Sequence, residues 1–181
     1  AKVALQLVSD SKIRDFYISS NDKIFGDFDD VVIEIKTDRG IKTKALQLKH
    51  SNEKRLLSIK QLASKTGNFS ITKYFKSAQE VQGEVEEFIL FTTNNFTTSK
   101  ETKFKLEGEE FYVKPIKKTV SEDDCDMLRI SENINYYHTF EIVEDEWTKQ
   151  NLEKIQQYQP FFERFRLYTN QERFEALTKS T

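Results

Sequence analysis

FDDVVIEIKTDRGIKTKALQLKH, residues 28–50, decides the fold of this chain. It contains two runs, VVIEIK (31–36) and KALQLK (44–49), in which apolar and polar side chains alternate, as in half-buried β-strands. Asp38-Arg39-Gly40 separates the two runs. If Arg39 and Gly40 are the central residues of a tight turn, the glycine supplies the positive φ that such a turn needs. The stretch therefore predicts an antiparallel β-hairpin.

The position of the turn determines which residues of the hairpin face each other. With Arg39 and Gly40 at its centre, Asp30 stands opposite Lys49 and Val32 opposite Gln47. Side chains alternate between the two faces of a sheet, so Asp30 shares a face with Gln47 and Lys49. Facing Cβ atoms lie about 4.5–5.5 Å apart in such a ladder. An acid, an amide and an ammonium group are therefore expected to converge.

Further strands and helices are predicted on both sides of the hairpin. The nearly continuous apolar run EEFILFTT (86–93) predicts a buried central strand. Other strands are predicted at 16–19, 103–106, 110–116, 126–130 and 136–143. The strands at 103–106 and 110–116 are expected to form a hairpin about Glu107-Gly108. Helices are predicted from Ser51 or Asn52 to near Gly67, from Ser70 to near Gly83, and over 145–181 with an interruption at Pro160. The pattern indicates an α/β layered domain.

Length and composition limit the class of protein. A chain of 181 residues is most simply one domain, here residues 1–181. The opening run AKVALQLV (1–8) is typical of the end of an amphipathic helix, which suggests an incomplete first helix and a fragment of a longer chain. Charged residues make up 32%, and no apolar run is long enough to span a bilayer, so no membrane contact is expected. A lone cysteine, Cys125, excludes an intramolecular disulfide and favours an intracellular location, cytoplasmic or nuclear.

The charges are unevenly distributed along the chain. Residues 36–76 contain eleven Lys or Arg against two acids, although the net charge of the whole chain is -2. Such a run is often only a solvated surface. It also suits a polyanionic partner such as nucleic acid. The candidate contacts for that partner are Lys44, His50, Lys54, Arg55 and Lys60.

The polar groups predicted to converge on the hairpin suit one kind of chemistry. The Asp30 carboxylate is a hard oxygen ligand for Mg²⁺, and the Gln47 side-chain carbonyl can add a neutral one. The main-chain carbonyl between Gln47 and Lys49 can supply a third. A lysine ammonium beside the ion can orient a water molecule or stabilise charge on a phosphoryl oxygen. Metal-assisted hydrolysis of a phosphodiester uses all of these parts.

The same residues resemble a known family. An acid just before an apolar strand, followed by Gln-x-Lys on the next strand, resembles the PD-(D/E)XK nuclease superfamily, in the variant with Gln in place of the second acid. This variant is typical of methylation-dependent restriction enzymes of the Mrr type and of effector nucleases in bacterial anti-phage systems. Four segments also resemble the N-terminal domain of large insect proteins that carry ankyrin repeats, sometimes with an NTPase module, downstream: FGDFDDVVIEI (25–35), ALQLKHSNEK (45–54), FSITKYFKS (69–77) and FFERFRLYTNQ (161–171).

The resemblance implies a restriction-endonuclease-like mixed sheet flanked by helices. It also implies a DNA endonuclease dependent on Mg²⁺ or Mn²⁺ that acts as the effector of an intracellular defence, or innate-immunity, protein, with RNA left open as a substrate. In that family pattern Asp30 matches the metal-binding acid, Gln47 the second motif position and a metal ligand, and Lys49 the catalytic lysine. The expected partners besides DNA are the rest of a longer chain, with repeats or an NTPase module, and further copies of the chain in a homo-oligomer.

Two questions remain open from the sequence. The superfamily often has a further acid or amide on the first helix, a position that only Gln6 matches here, and Asp29 or Glu34 are the candidates to compensate. A D…QxK pattern also arises by chance on any polar strand face, where Asp30 and Lys49 would form a surface ion pair worth roughly 0–1 kcal/mol. The alternative to an enzyme is therefore a catalytically inactive nuclease-like module that binds nucleic acid or protein, or that oligomerises.

Overall fold

A computed structural model describes residues 13–98, 100–120 and 136–170. In these ranges the chain forms one eight-stranded mixed sheet with helices packed against it, which confirms the α/β class. The strands are β1 (Ile13–Ser19), β2 (Val31–Thr37), β3 (Gly40–Lys49), β4 (Glu87–Thr92), β5 (Thr102–Leu106), β6 (Glu109–Thr119), β7 (Tyr136–Ile142) and β8 (Phe165–Tyr168). The helices are α1 (Ile59–Leu62), α2 (Ile71–Glu80), α3 (Glu146–Gln150) and α4 (Leu152–Arg164), and a 3₁₀ segment covers Lys23–Phe28. The strand predicted at 126–130 and the helix end predicted at 1–8 lie outside the described residues.

The order of strands in the sheet is β1-β2-β3-β4-β8-β7-β6-β5. β3, β4 and β8 run parallel, and every other neighbouring pair is antiparallel. β4 lies inside the sheet and is buried from Phe88 to Thr92, as its apolar run predicted. Because β6 runs in the same direction as β8, the carboxyl ends of β3, β4, β8 and β6 all lie along one border of the sheet. We call this border the upper edge.

The predicted hairpin forms, but its turn lies one residue earlier than predicted. Thr37 pairs with Gly40, so Asp38 and Arg39 are the central residues, and Gly40 follows them with φ +123°. A turn with negative φ at both central residues, followed by a glycine at positive φ, is the alternative way to close a short hairpin. The predicted pairing of Asp30 with Lys49 was therefore wrong. Continuing the observed register from Val31, which pairs with Leu46, places Asp30 opposite Gln47.

The correction moves each facing pair by two residues and leaves the faces unchanged. Val32 now faces Ala45, where Gln47 was predicted, and Glu34 faces Thr43, where Ala45 was predicted. Side chains have a period of two along a strand, so a shift of two keeps every residue on its predicted face.

One face of the sheet carries the main core. α2, α4 and the 3₁₀ segment cover this face, and the buried cluster between them is rich in aromatic rings, among them Phe28, Tyr74, Phe88, Phe161 and Phe165. α2 begins as predicted at Ser70, whose side-chain oxygen accepts a hydrogen bond from Lys73 N at 3.1 Å. The opposite face has a smaller apolar cluster that includes Ile33, Leu46, Ile89 and Tyr168. No helix in the described ranges has the length and apolar content to cross a bilayer.

The helix predicted to start at Ser51 or Asn52 is shorter than expected. Residues 51–57 form an extended loop, and helix α1 begins only after Ser58, which forms a reciprocal capping box with Gln61. The loop is held to the segment that follows β4: Ser51 N donates to Thr93 Oγ1 at 3.1 Å and Arg55 N to Asn94 Oδ1 at 3.0 Å. These long-range bonds replace the local bonds that a helix would make.

The C-terminal region differs from the helix predicted over 145–181 with an interruption at Pro160: it forms α3, α4 and β8, and the predicted interruption was wrong. α4 passes through Pro160 without ending, and the carbonyl that loses its hydrogen bond there belongs to Gln156 on the exposed side of the helix, where water can replace it. The helix ends at Arg164, and β8 then inserts between β4 and β7. Phe165 and Tyr168 are therefore strand residues, so the helical extension predicted over 145–181 was wrong at 165–168.

Candidate functional site

Asp30 and Gln47 are in direct contact. Asp30 precedes β2, and its Oδ2 accepts a hydrogen bond from Gln47 Nε2 and another from Leu48 N, the latter at 2.7 Å. Gln47 is 5% exposed and Asp30 is half-buried, so the contact is partly removed from water. The acid and the amide of the predicted motif therefore meet at the upper edge, and more closely than the predicted register implied.

The segment that carries Asp30 is anchored on the core. Phe28 is fully buried, with its ring centroid 5.1 Å from that of Tyr74 and 4.9 Å from that of Phe88. Immediately before it, Asp27 N donates to Ser77 Oγ at 2.6 Å, and the Asp27 carboxylate lies 2.8 Å from Lys73 Nζ. Aromatic packing and bonds to α2 thus fix the approach to β2, so Asp30 is held by a rigid support.

Lys49 ends β3 on the same face as Gln47. It lies two residues further along, about 7 Å away at the rise of a strand. It is partly buried, and in the described part of the chain its ammonium group forms no hydrogen bond or ion pair. Its charge is therefore available to a ligand at the upper edge.

Of the other acids and amides proposed for the site, the side chains of Asp29 and Glu34 form no hydrogen bond with Asp30 or Gln47 in the described structure. Asp29 is buried and forms an ion pair with Lys23, and this hydrogen bond, together with the charge of Asp29, raises the pKa of Lys23. Glu34 faces Thr43, four residues from Asp30 along β2, which is about 13 Å. Gln6 lies outside the described residues.

The predicted nucleic-acid contacts separate into two groups. Lys44 is buried, with Nζ 2.8 Å from Glu87 Oε2, so a phosphate contact would require this ion pair to open. His50, Lys54, Arg55 and Lys60 are exposed. Lys54 Nζ donates to Asn170 Oδ1 at 2.8 Å, and Arg55 lies 3.4 Å from Glu53 in a pair that is fully open to solvent.

The oxygen atoms at the upper edge can be compared with the ligands that a divalent ion requires. The described part of the chain contains no group of three or more His, Cys, Asp or Glu that could hold a metal. Asp30 supplies one carboxylate, and Gln47 supplies one amide whose Nε2, rather than its oxygen, faces that carboxylate. Mg²⁺ commonly binds through one or two carboxylates and completes its shell with water and substrate phosphates. The residues therefore fit a metal that is shared with a phosphate, and they do not form an all-protein cage.

Polar residues that the sequence analysis did not single out support the loop beside this site. Thr92, the last residue of β4, and Thr93 and Asn94, which follow it, are buried, and Asn94 O accepts a hydrogen bond from Asn170 N at 2.8 Å. Four polar residues in succession, TTNN (92–95), follow a strand that is otherwise apolar. Buried polar groups need hydrogen-bond partners, so this run of polar residues could have predicted a hydrogen-bonded loop at the end of β4.

His138 in β7 is a second buried polar residue with no predicted role. It is 3% exposed, its ring lies edge-on to Phe96 with centroids 4.9 Å apart, and its Nδ1 has no hydrogen-bond partner in the described ranges. Burial lowers the pKa of His138 to about 4, and the charge of Lys117 adds to this effect. The folded protein therefore holds this imidazole in its neutral form.

We expect His138 to make stability depend on pH between about 4 and 6.5. In this range the unfolded chain binds a proton at His138 that the folded chain does not, so stability falls as pH decreases from 6.5 towards 4. The full loss is on the order of 3 kcal/mol. Urea unfolding at pH 7.5, 6.5, 5.5 and 5.0 measures it, with His138→Phe as the variant that removes the titrating group. An equal slope between pH 5.5 and 6.5 in both proteins would show that His138 does not cause it.

One crevice of the described structure lies away from these residues. It has a volume of about 710 Å³ and lies between β7, α3 and α4, with Phe140, Ile155, Phe162 and Arg166 in its walls. Asp30, Gln47 and Lys49 do not line it.

Comparisons with protein-family models, with curated proteins and with solved structures gave no match for this chain.

Proposed function

We propose that this chain is a nuclease domain of restriction-endonuclease-like type that hydrolyses phosphodiester bonds of DNA with Mg²⁺ or Mn²⁺. The observation that carries the proposal is the contact between Asp30 and Gln47 on the same face and edge as Lys49, whose ammonium has no acidic partner in the described ranges. The resemblance of these three residues to the PD-(D/E)XK pattern supports it. The broader role, as effector of an intracellular defence protein, follows from the same resemblance.

Each residue has a definite task in this proposal. Asp30 and Gln47 would hold the metal, which when bound polarises the phosphodiester and lowers the pKa of a coordinated water. The hydrogen bond from Leu48 N holds the Asp30 carboxylate in place. Lys49 would stabilise the negative charge that grows on the phosphoryl oxygens, since a preorganised ammonium at a partly buried position is stronger there than in water.

Cleavage of plasmid DNA tests the proposal. Because such effectors can be silent as monomers, the chain should be fused to a tetramerising coiled coil and incubated with supercoiled plasmid in Mg²⁺ and, separately, in Mn²⁺. We expect nicked and then linear DNA, and no change in EDTA. Intact plasmid with the tethered protein at high concentration in both metals would contradict a nuclease function.

One observation favours a second candidate function. Asp30 is the one carboxylate that contacts Gln47 in the described part of the chain, and one of its oxygens already accepts two hydrogen bonds. A nuclease-like fold with this arrangement can bind nucleic acid, or a partner protein, without holding a metal. Metal binding separates the two candidates.

We expect Mn²⁺ to bind weakly to the protein alone and at least about tenfold more tightly when DNA is present, because substrate phosphates complete the shell. Lys49→Ala protein keeps the metal ligands and should not cut, so it allows the measurement by electron paramagnetic resonance with a short duplex. Asp30→Asn is the control and should abolish the enhancement. If Mn²⁺ does not bind even with DNA present, the binding-only module is correct and the nuclease proposal fails.

A further inference from the structure

Lys117, on β6, lies level with the candidate site although the two are far apart in sequence. The paired residues run in one row across the sheet: Gln47 with Leu90, Leu90 with Leu167, Leu167 with His138, and His138 with Lys117. Paired residues point to the same side of a sheet, so Lys117 is on the face that carries Gln47. Four strand spacings of about 4.8 Å place it roughly 19 Å from Gln47.

Lys117 stands on a part of β6 that pairs on one side only among the described residues. β5 pairs with β6 as far as Val113, and beyond that residue the described partner of β6 is β7. Lys117 is exposed and forms no ion pair in the described part of the chain. Its Nζ lies 4.0 Å from the centroid of the Tyr136 ring, a cation–π contact that holds the ammonium at the upper edge.

Lys54 lies between the two. Its Nζ donates to Asn170 Oδ1 at 2.8 Å, and Asn170 follows β8, which is two strands from β3 and two from β6. The loop that carries Lys54 is fixed to the segment after β4 through Leu57 N and Asn95 O, 2.7 Å apart. Lys54 is therefore held near the middle of the upper edge and is still exposed.

We infer that Lys49, Lys54 and Lys117 form one basic track along the upper edge that binds the phosphate backbone of DNA. The track is about 19 Å long, which corresponds to five or six base pairs of B-DNA at about 3.4 Å each. It runs from the candidate active site to the far side of the sheet. The inference rests on the proposed function and adds to it a second anchoring point, Lys117, outside the basic run of residues 36–76.

The alternative role for Lys117 is to protect the border of β6 from pairing with another strand. Lysine and proline on a free strand border prevent pairing with a second sheet, and Pro115 lies two residues away. In that case Lys117 would affect self-association and would leave DNA binding unchanged. The two roles therefore differ in a quantity that can be measured.

Fluorescence anisotropy with a labelled duplex in EDTA, over a range of salt concentrations, tests the inference without cleavage. Each lysine that contacts a phosphate contributes about 0.7–0.9 to the slope of log affinity against log salt. Lys117→Gln and Lys54→Gln are each expected to lower that slope by about this amount and to weaken binding by about 3–10-fold. Lys54→Arg keeps the charge and should bind like wild type. Lys105→Gln is the matched control, because Lys105 is an exposed lysine on the neighbouring β5 beside Glu110.

The outcomes separate this inference from the proposed function. If wild type binds DNA and Lys117→Gln behaves like the Lys105→Gln control, the track is wrong and the nuclease proposal stands. If Lys117→Gln instead promotes self-association without changing DNA binding, the edge-protection role is correct and the track is again wrong. If the wild-type protein does not bind DNA in any salt concentration, both fall. Thermal unfolding of each variant verifies that folding is retained.

Discussion

Lys49→Ala is expected to slow metal-dependent cleavage by about 10²–10³-fold, the loss seen when a preorganised group that stabilises transition-state charge is removed. The effect should fall on the chemical step. DNA binding should weaken only a few fold, because one phosphate contact among several is lost. Stability should stay within about 0.5 kcal/mol of wild type, since no described residue depends on the Lys49 ammonium. Single-turnover cleavage with saturating protein isolates the rate of this step.

Lys42→Ala is the matched control for this substitution. Lys42 belongs to the same strand but lies near its other end, where it pairs with Glu86 at 3.1 Å in an exposed position. Its removal should leave the cleavage rate unchanged. Equal rates for Lys49→Ala and wild type would remove Lys49 from the mechanism, and equal losses in both lysine variants would point to a general effect of charge.

Phe28→Ala is expected to lower the free energy of unfolding by about 3–5 kcal/mol, the range for truncating a fully buried phenylalanine. Phe28 is 0% exposed and its ring packs against three others, those of Tyr74, Phe88 and Phe165. The cavity would lie beneath the segment that carries Asp30. Urea unfolding followed by circular dichroism measures the change.

Ile24→Ala is the control for Phe28→Ala. Ile24 belongs to the same 3₁₀ segment but is 57% exposed, so its truncation should change stability by no more than about 0.5 kcal/mol. A loss below about 1 kcal/mol for Phe28→Ala would show that this ring does not anchor the segment. Phe28→Leu keeps most of the apolar volume and remains folded if the alanine variant does not, so it preserves the comparison.

The local patterns of the sequence were sufficient for much of the fold. Alternation predicted β2 and β3, the apolar run predicted β4 as an inner strand, and Ser70 correctly marked the start of α2. Each of these elements is specified by its own residues. The same holds for the β5–β6 hairpin, in which Leu106 pairs with Glu109 around Glu107-Gly108 as predicted.

The errors have a shared physical cause, because each depends on contacts between distant parts of the chain. FRLY (165–168) is too short to distinguish a strand from the end of a helix, and its pairing with β4 decides the matter. Residues 51–57 stay extended because Thr93 and Asn94 supply their hydrogen bonds. A lysine is usually a surface residue, and Lys44 is buried because Glu87 on the neighbouring strand pairs with its ammonium group.

The sequence predicted correctly which side of the sheet carries the candidate site residues, but not which residues face each other across the two strands. The period of two placed Asp30, Gln47 and Lys49 on one side of the hairpin, and this result did not depend on the turn. The pairings required knowing that Gly40 follows the turn, since a glycine at positive φ suits either position. The role of Lys117 could not be predicted, because its position level with Gln47 depends on the order of the five strands β3-β4-β8-β7-β6. That order cannot be derived from the local sequence.

Anomalous diffraction from a crystal of Lys49→Ala protein with a short DNA duplex, soaked in Mn²⁺, tests the central claim most directly. The account predicts an anomalous peak within coordination distance of the Asp30 carboxylate, shared with a DNA phosphate, and the loss of that peak in the additional variant Asp30→Asn. DNA bound along the upper edge with no anomalous peak near Asp30 would contradict a metal-dependent site at this position.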